Sequence, residues 1–252
     1  MNGILSKERA RINSAVLLGF IVVMTLVAFV NDTTGTDSTT GTDSAADSRE
    51  TLAGLGGPLS PGDPQQVRKG PGGRPENCRT DDRDTAQPTA APEDVRWQKL
   101  VALMVPTSPS AGPLRTDATM WWCFAHTPMG AVLAAHVIPV ELSGAAWRIV
   151  AEQQVVPGEP RDTFVASKAR ADETNPDEGA VGRLVGFSLA SYSGDSATVR
   201  LLATNPIGGY LSTSVSVRWR EGDWKVALQD DGSLYSSVQR AAKPDGFIMW
   251  GA

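Results

Sequence analysis

The feature that most constrains this chain is the apolar run from Ala15 to Val30, because it cuts the sequence into a short head, a long polar tract and one separate unit able to fold. No charge occurs from Ile12 to Val30, and about 19 residues at roughly 1.5 Å each give roughly 28 Å of helix, enough to cross the hydrocarbon core of a bilayer. The run is apolar on all sides and isolated from other apolar stretches, which argues against a buried core helix. Lys7, Arg9 and Arg11 precede it and Asp32, Asp37, Asp43 and Asp47 follow it, so the positive-inside rule puts residues 1–14 in the cytoplasm and everything past Val30 outside. A cleaved secretory leader is the other reading of such a run. It fits poorly: a cut after Ala28 would place Leu26 at the third position before it, and a cut after Asn31 would place Phe29 there, where small residues are needed. The expected location is the cell membrane, with a single span over residues 15–30.

Residues 31–76 carry the composition of a linker. No aromatic lies between Phe29 and Trp97, and TTGTDS at Thr33–Ser38 is repeated without change at Thr39–Ser44, a tandem tolerated where no packing constrains the sequence. A tract with so little apolar surface cannot offset its ordering entropy, so disorder is expected, with a root-mean-square reach of roughly 35–40 Å. The folding unit is then residues 77–252, a length suited to a single domain. The whole chain has 23 Lys and Arg against 28 Asp and Glu, a net charge of −5. Its basic residues are scattered, so nucleic acid is not an expected partner.

The C-terminal half reads as antiparallel strands. Leu211, Thr213, Val215, Val217 and Trp219 alternate with Ser212, Ser214, Ser216 and Arg218, the period of a half-buried strand. Arg220-Glu221-Gly222-Asp223 turns this strand into another carrying Trp224, Val226 and Leu228. Val181–Tyr192, turning through Ser193-Gly194-Asp195 into Ala197–Thr204, forms an earlier pair. Upstream, Thr127 as an N-cap with Pro128 in the first turn opens a helix over Met129–His136, which Pro139 is expected to end. Ser143 is a candidate cap for a second helix running to Gln154, and Arg161–Ala171 offers a third. Residues 119–125 favour strand, while 95–105 suit helix or strand. The expected class is α+β: helices packed on a curved antiparallel sheet of about four strands, in the element order of small cone folds like that of nuclear transport factor two.

Two cysteines, Cys78 and Cys123, stand on the expected outer side. An oxidising compartment favours a disulfide between them, which would fasten the end of the linker to the domain; two free thiols in a cytosolic protein are the alternative. Cys123 and His126 have C-x-x-H spacing, but His136 is the only other histidine and a zinc site needs three or four ligands. No metal or cofactor is expected. His126, Asp81 and Asp82 are candidates for polar contact with a partner, each with a bland alternative as a solvated or structural group. Trp219 and Trp224 read as core or cross-strand packing. No nucleophile elbow, Ser-x-x-Lys or phosphate loop is present. An enzyme is therefore not expected; if one were found, His126, Asp162 and nearby acids would be the candidates.

Several motifs carry a resemblance. Cys78-Arg79-Thr80-Asp81-Asp82-Arg83-Asp84, Val95-Arg96-Trp97, Cys123 to Ala131, Val155-Val156-Pro157-Gly158 with Arg161-Asp162, Val217-Arg218-Trp219, Gly222-Asp223-Trp224 and Gly246-Phe247 before Trp250-Gly251 resemble an uncharacterised family of actinobacterial single-pass membrane-anchored proteins. Proteins of this kind are often associated with integrative and conjugative elements. Their build of cytoplasmic head, one span and exported domain is similar to that of assembly subunits of type IV secretion and conjugation channels. The resemblance implies a membrane-anchored scaffold or assembly component acting on other membrane-bound channel or envelope proteins. The alternative is an exported module that binds a ligand or senses the cell wall through a cone cavity.

Overall fold

A computed structural model describes residues 78–116, 120–174, 183–205 and 208–251. The expected head, span and linker, residues 1–76, lie outside the described residues. Among the described residues no helix is long and apolar enough to cross a membrane.

Helix α1, Pro128–Glu141, is the centre of the fold, and all of its residues except Met129 are buried. Its sequence is apolar around the whole circumference, so it is stable only when surrounded. It packs against α2 (Trp147–Gln154) and the strands β2 (Leu103–Thr107), β4 (Trp121–Trp122), β5 (Leu184–Tyr192), β6 (Ser196–Thr204), β7 (Tyr210–Arg220) and β8 (Asp223–Ala227). Thr127 caps it, the hydroxyl oxygen accepting from the Gly130 N–H at 3.1 Å, and Pro128 occupies the first turn, where no N–H is needed. Gly130 is required by proximity: a Cβ there would lie 2.0 Å from the carbonyl oxygen of Ala125. Pro139 does not end the helix as expected. It falls in the last turn, and the Leu142 N–H still reaches the Ile138 carbonyl at 3.0 Å, so the loss caused by proline is confined to a stretch already terminating. Ser143 does not cap α2 either. Ala146 is the N-cap and makes no side-chain bond, while the Ser143 hydroxyl donates back to the Val140 carbonyl at 2.6 Å. Helix α3, Glu159–Thr174, follows with Pro160 in its first turn, and Phe164 meets Trp147 of α2 edge-on at 6.2 Å.

Strands β5 to β8 run in sequence order as an antiparallel meander. Ala197 faces Val217 and Val199 faces Val215, and these with Phe187, Trp224 and Val226 form a buried face toward the helices. Register shifts in β5 at Leu184/Gly186 and Leu189/Ser191 bend the sheet, as bulges do. The β7–β8 loop is Glu221-Gly222, both at positive φ (53° and 82°), the handedness that two-residue hairpins favour.

The sheet is larger than the four strands expected. The short β9 (Gln239–Ala241) pairs with β7, and β10 (Ile248–Met249) pairs with β5, giving six strands. Neither has enough residues to show a period. Residues 96–107 form a separate hairpin, β1 (Arg96–Leu100) with β2, and β3 (Arg115–Thr116) pairs with β4. Strand β4 is pinned to the helices through the backbone of Trp121, whose N–H donates to Glu141 and whose carbonyl accepts from Gln154 at 2.7 Å. The class is thus α+β, with three helices packed on a curved antiparallel sheet.

Candidate functional site

Five residues between β4 and α1, from Cys123 to Thr127, are held on every side. Cys78 and Cys123 are disulfide-bonded, with Cα atoms 5.5 Å apart across 45 residues of sequence. Cys123 itself has φ +72°, a conformation costly for a non-glycine residue unless its surroundings impose it. The Asp223 carboxylate supplies much of that constraint. It accepts from the N–H groups of Cys123 (2.6 Å), Phe124 (2.9 Å) and its own neighbour Trp224 (2.9 Å). The Trp224 indole donates to the Ala125 carbonyl at 2.9 Å, and the Ala125 N–H donates to Ala111 at 3.0 Å. A carboxylate meeting several backbone donors makes charge-assisted bonds, roughly twice as strong as neutral ones.

His126 stands on this frame, its side chain about 32% exposed. The ring lies flat on Trp219, centroids 4.0 Å apart and planes 10° from parallel, and meets Trp224 edge-on at 5.8 Å. Nε2 is 2.9 Å from Asp195 in the β5–β6 turn, and the backbone N–H donates to Asp82 at 2.7 Å. Tyr192 joins the same patch. Burial, followed by the charges of Asp195 and Asp82, pushes its phenol above the ordinary value, as desolvation and nearby anions do.

The structure brings together only some of the sequence candidates. His126 and Asp82 meet directly, and the disulfide fastens both of their segments. Asp81 points instead to Arg83 (2.6 and 2.8 Å), whose hydrogen bonds hold its carboxyl down at about 2. That exposed ion pair is local and contributes little to stability. Asp162 sits on α3, exposed and 3.9 Å from Arg161. Asp195, Asp223 and Tyr192 were not legible as site residues. Trp224 is fully buried, matching its reading as core, whereas Trp219 is half-buried and serves as the platform for His126. The signal that was available is the Gly222-Asp223-Trp224 run at the turn that follows the strand carrying Trp219: a short polar residue at a hairpin end is placed to capture backbone donors.

As chemistry, the patch is an imidazole between an indole face and a carboxylate, on a backbone tied by the disulfide and the Asp223 bonds. Such a cluster presents fixed donors, acceptors and a flat apolar edge at the surface. Among the described residues no group of three or more His, Cys, Asp or Glu is placed to hold a metal ion.

A family model matches residues 60–249, described as a domain of unknown function, DUF8175. The chain belongs to the DUF8175 family. No curated protein and no solved structure matches it. The DUF8175 match starts upstream of Cys78 and runs to Met249, so it takes in the disulfide, the His126 patch, the whole meander and β10.

Proposed function

We propose that this DUF8175 protein is a membrane-anchored extracytoplasmic docking domain that works by protein–protein contact, as a scaffold or assembly component of a conjugative transfer apparatus of the type IV secretion kind. The observation that carries the reading is the locked, half-exposed His126–Trp219–Asp195 cluster at the point where the chain from the N-terminal apolar run enters the domain, Cys78 being bonded to Cys123 three residues before His126. A surface fixed before a partner arrives loses little ordering entropy on binding. A single span upstream would confine the domain to the membrane and raise its effective concentration toward other membrane-bound subunits. The disulfide suits an oxidising compartment.

The cone-like, nuclear-transport-factor-two-like description of the fold belongs to the same reading. Helix α1 packs against β5 to β8 with Phe187 and Trp250 buried beside it, which favours contact through the outer surface over capture of a ligand within. The link to conjugation rests on the resemblance carried by the Cys78–Asp84, Cys123–Ala131 and Gly222–Trp224 motifs. Deleting the gene should abolish transfer from a donor strain, and the tagged chain should co-purify with channel subunits from detergent-solubilised membranes. Normal transfer frequency in the deletion strain would contradict the proposal.

A further inference from the structure

The β1–β2 hairpin ends in five consecutive apolar residues, Leu100-Val101-Ala102-Leu103-Met104. Val101 is 48% exposed and Met104 47%. Val101 also has φ +54°, where glycine or asparagine is the usual occupant and a β-branched residue is an outlier. Held there, the aliphatic side chain sits at the turn of the hairpin with about half of it facing water and Cγ2 turned toward Gly144 beyond α1, and such local strain is a pointer to function. The hairpin carries charge of one sign. From Arg96 to Thr107 it holds Arg96 and Lys99, both exposed, and no acidic residue; Lys99 is the cross-strand partner of Met104. Leu100 and Leu103 turn inward against the core, so the exposed apolar residues of the tip are Val101, Ala102 and Met104.

We propose that this tip seats in the headgroup region of an anionic phospholipid bilayer, with Val101 and Met104 entering the acyl boundary and Lys99 and Arg96 meeting lipid phosphates. An aliphatic end backed by cations, with the nearest acids, Glu93 and Asp94, before the start of β1, is the charge and polarity pattern complementary to such a surface. The length of chain outside the described residues permits this occupant. The apolar run ends at Val30 and the domain is entered at Cys78; 47 intervening residues span at most about 160 Å, so the tip can reach the bilayer in which that run would lie. The inference therefore rests on the reading of Ala15–Val30 as a membrane anchor. Its consequence is orientation: a long tether leaves the domain free to tumble, whereas a seated tip fixes which face looks outward.

The test uses the full chain in vesicles of phosphatidylcholine with a minor share of phosphatidylglycerol. A nitroxide is placed through Met104→Cys or, for comparison, Ser193→Cys in the β5–β6 turn, after mass mapping shows the Cys78–Cys123 bond intact. The Met104 label should be several-fold more accessible to oxygen than to a water-soluble nickel chelate, the Ser193 label should show the reverse, and adding Val101→Asp should remove most of the oxygen preference at Met104. A Met104 label as open to nickel as the Ser193 label would overturn the proposal, as would spin–spin broadening showing that a second copy covers the tip. Alkaline carbonate extraction separates the two readings. A chain that stays in the vesicles with an aqueous tip refutes only the docking, and a chain that is extracted refutes the anchor and the docking with it.

Discussion

The chain has two histidines, ten residues apart, and the fold treats them in opposite ways. His126 lies at the surface end of the β4–α1 junction, its ring against Trp219 and its Nε2 at Asp195. His136 lies inside α1, 1% exposed, where Nδ1 is 2.8 Å from the Val132 carbonyl and Nε2 accepts from the Trp250 indole at 3.1 Å. Phe187 and Trp250 face it edge-on. Burial pushes its pKa down to about 4, so it is a neutral core group that joins α1 to the C-terminal segment. In this molecule burial decides whether an imidazole is packing material or a surface group, and the contact we propose lies at the junction rather than in the core.

If the core histidine is structural, the largest effect should come from its partner. Trp250→Ala should lower stability by about 4 kcal/mol in urea unfolding, as other buried tryptophan truncations do, because it leaves a large void and removes the donor to His136; a loss under about 1 kcal/mol would place Trp250 outside the core. The disulfide should come next. With a loop of about 45 residues, Cys78→Ser with Cys123→Ser should cost up to about 4 kcal/mol in the chain-entropy model, and amide exchange should rise first around residues 78–84 and 123–127.

The pH dependence of folding tests the buried histidine directly. The folded state resists protonating His136 down to about 4, while the unfolded chain takes up that proton near 6.5. The stabilisation is therefore complete above pH 6.5 and is lost as pH falls toward 4, by on the order of 3 kcal/mol, with no further loss from this group below that. His136→Leu should flatten that window while lowering stability at neutral pH, since the Trp250 N–H loses its acceptor; an unchanged slope in the variant would refute the assignment. The smallest stability effect belongs to the surface. His126→Ala should cost about 1 kcal/mol, from one exposed pair and the ring contacts with Trp219 and Trp224, and thermal denaturation at neutral pH measures it.

Much of the fold was legible in the sequence because it depends on periodicity. The alternation from Leu211 to Trp219 and the Glu221-Gly222 turn specify the β7–β8 hairpin without help from the rest of the chain, and Thr127-Pro128 specifies where α1 begins. Elements that depend on the fold as a whole were hidden. Strands β9 and β10 have three and two residues and exist because β7 and β5 offer them edges. Residues 95–105 read ambiguously because Leu100 to Met104 is an unbroken apolar run that suits either period. The end of α1 was misread because proline's penalty in a last turn is smaller than the sequence rule assumes.

The site was legible only at its chain-local parts. His126 and Asp82 stand out as polar residues in motifs next to the cysteines. Their partners Asp195, Trp219 and Asp223 come from turns and strand ends 69 to 100 residues away from the groups they hold, and only the sheet register brings them there. Trp219 was assigned to packing with Trp224; the two do meet, at 5.5 Å, but one face of Trp219 is given over to the imidazole.

We propose that contact at the junction, and no property of the core, carries the function. The most direct test is the transfer frequency of a donor strain carrying His126→Ala with Asp195→Ala, at wild-type protein level and with a melting temperature close to that of the parent. A loss of transfer comparable to gene deletion is the predicted result, and normal transfer by that folded double variant would contradict the claim.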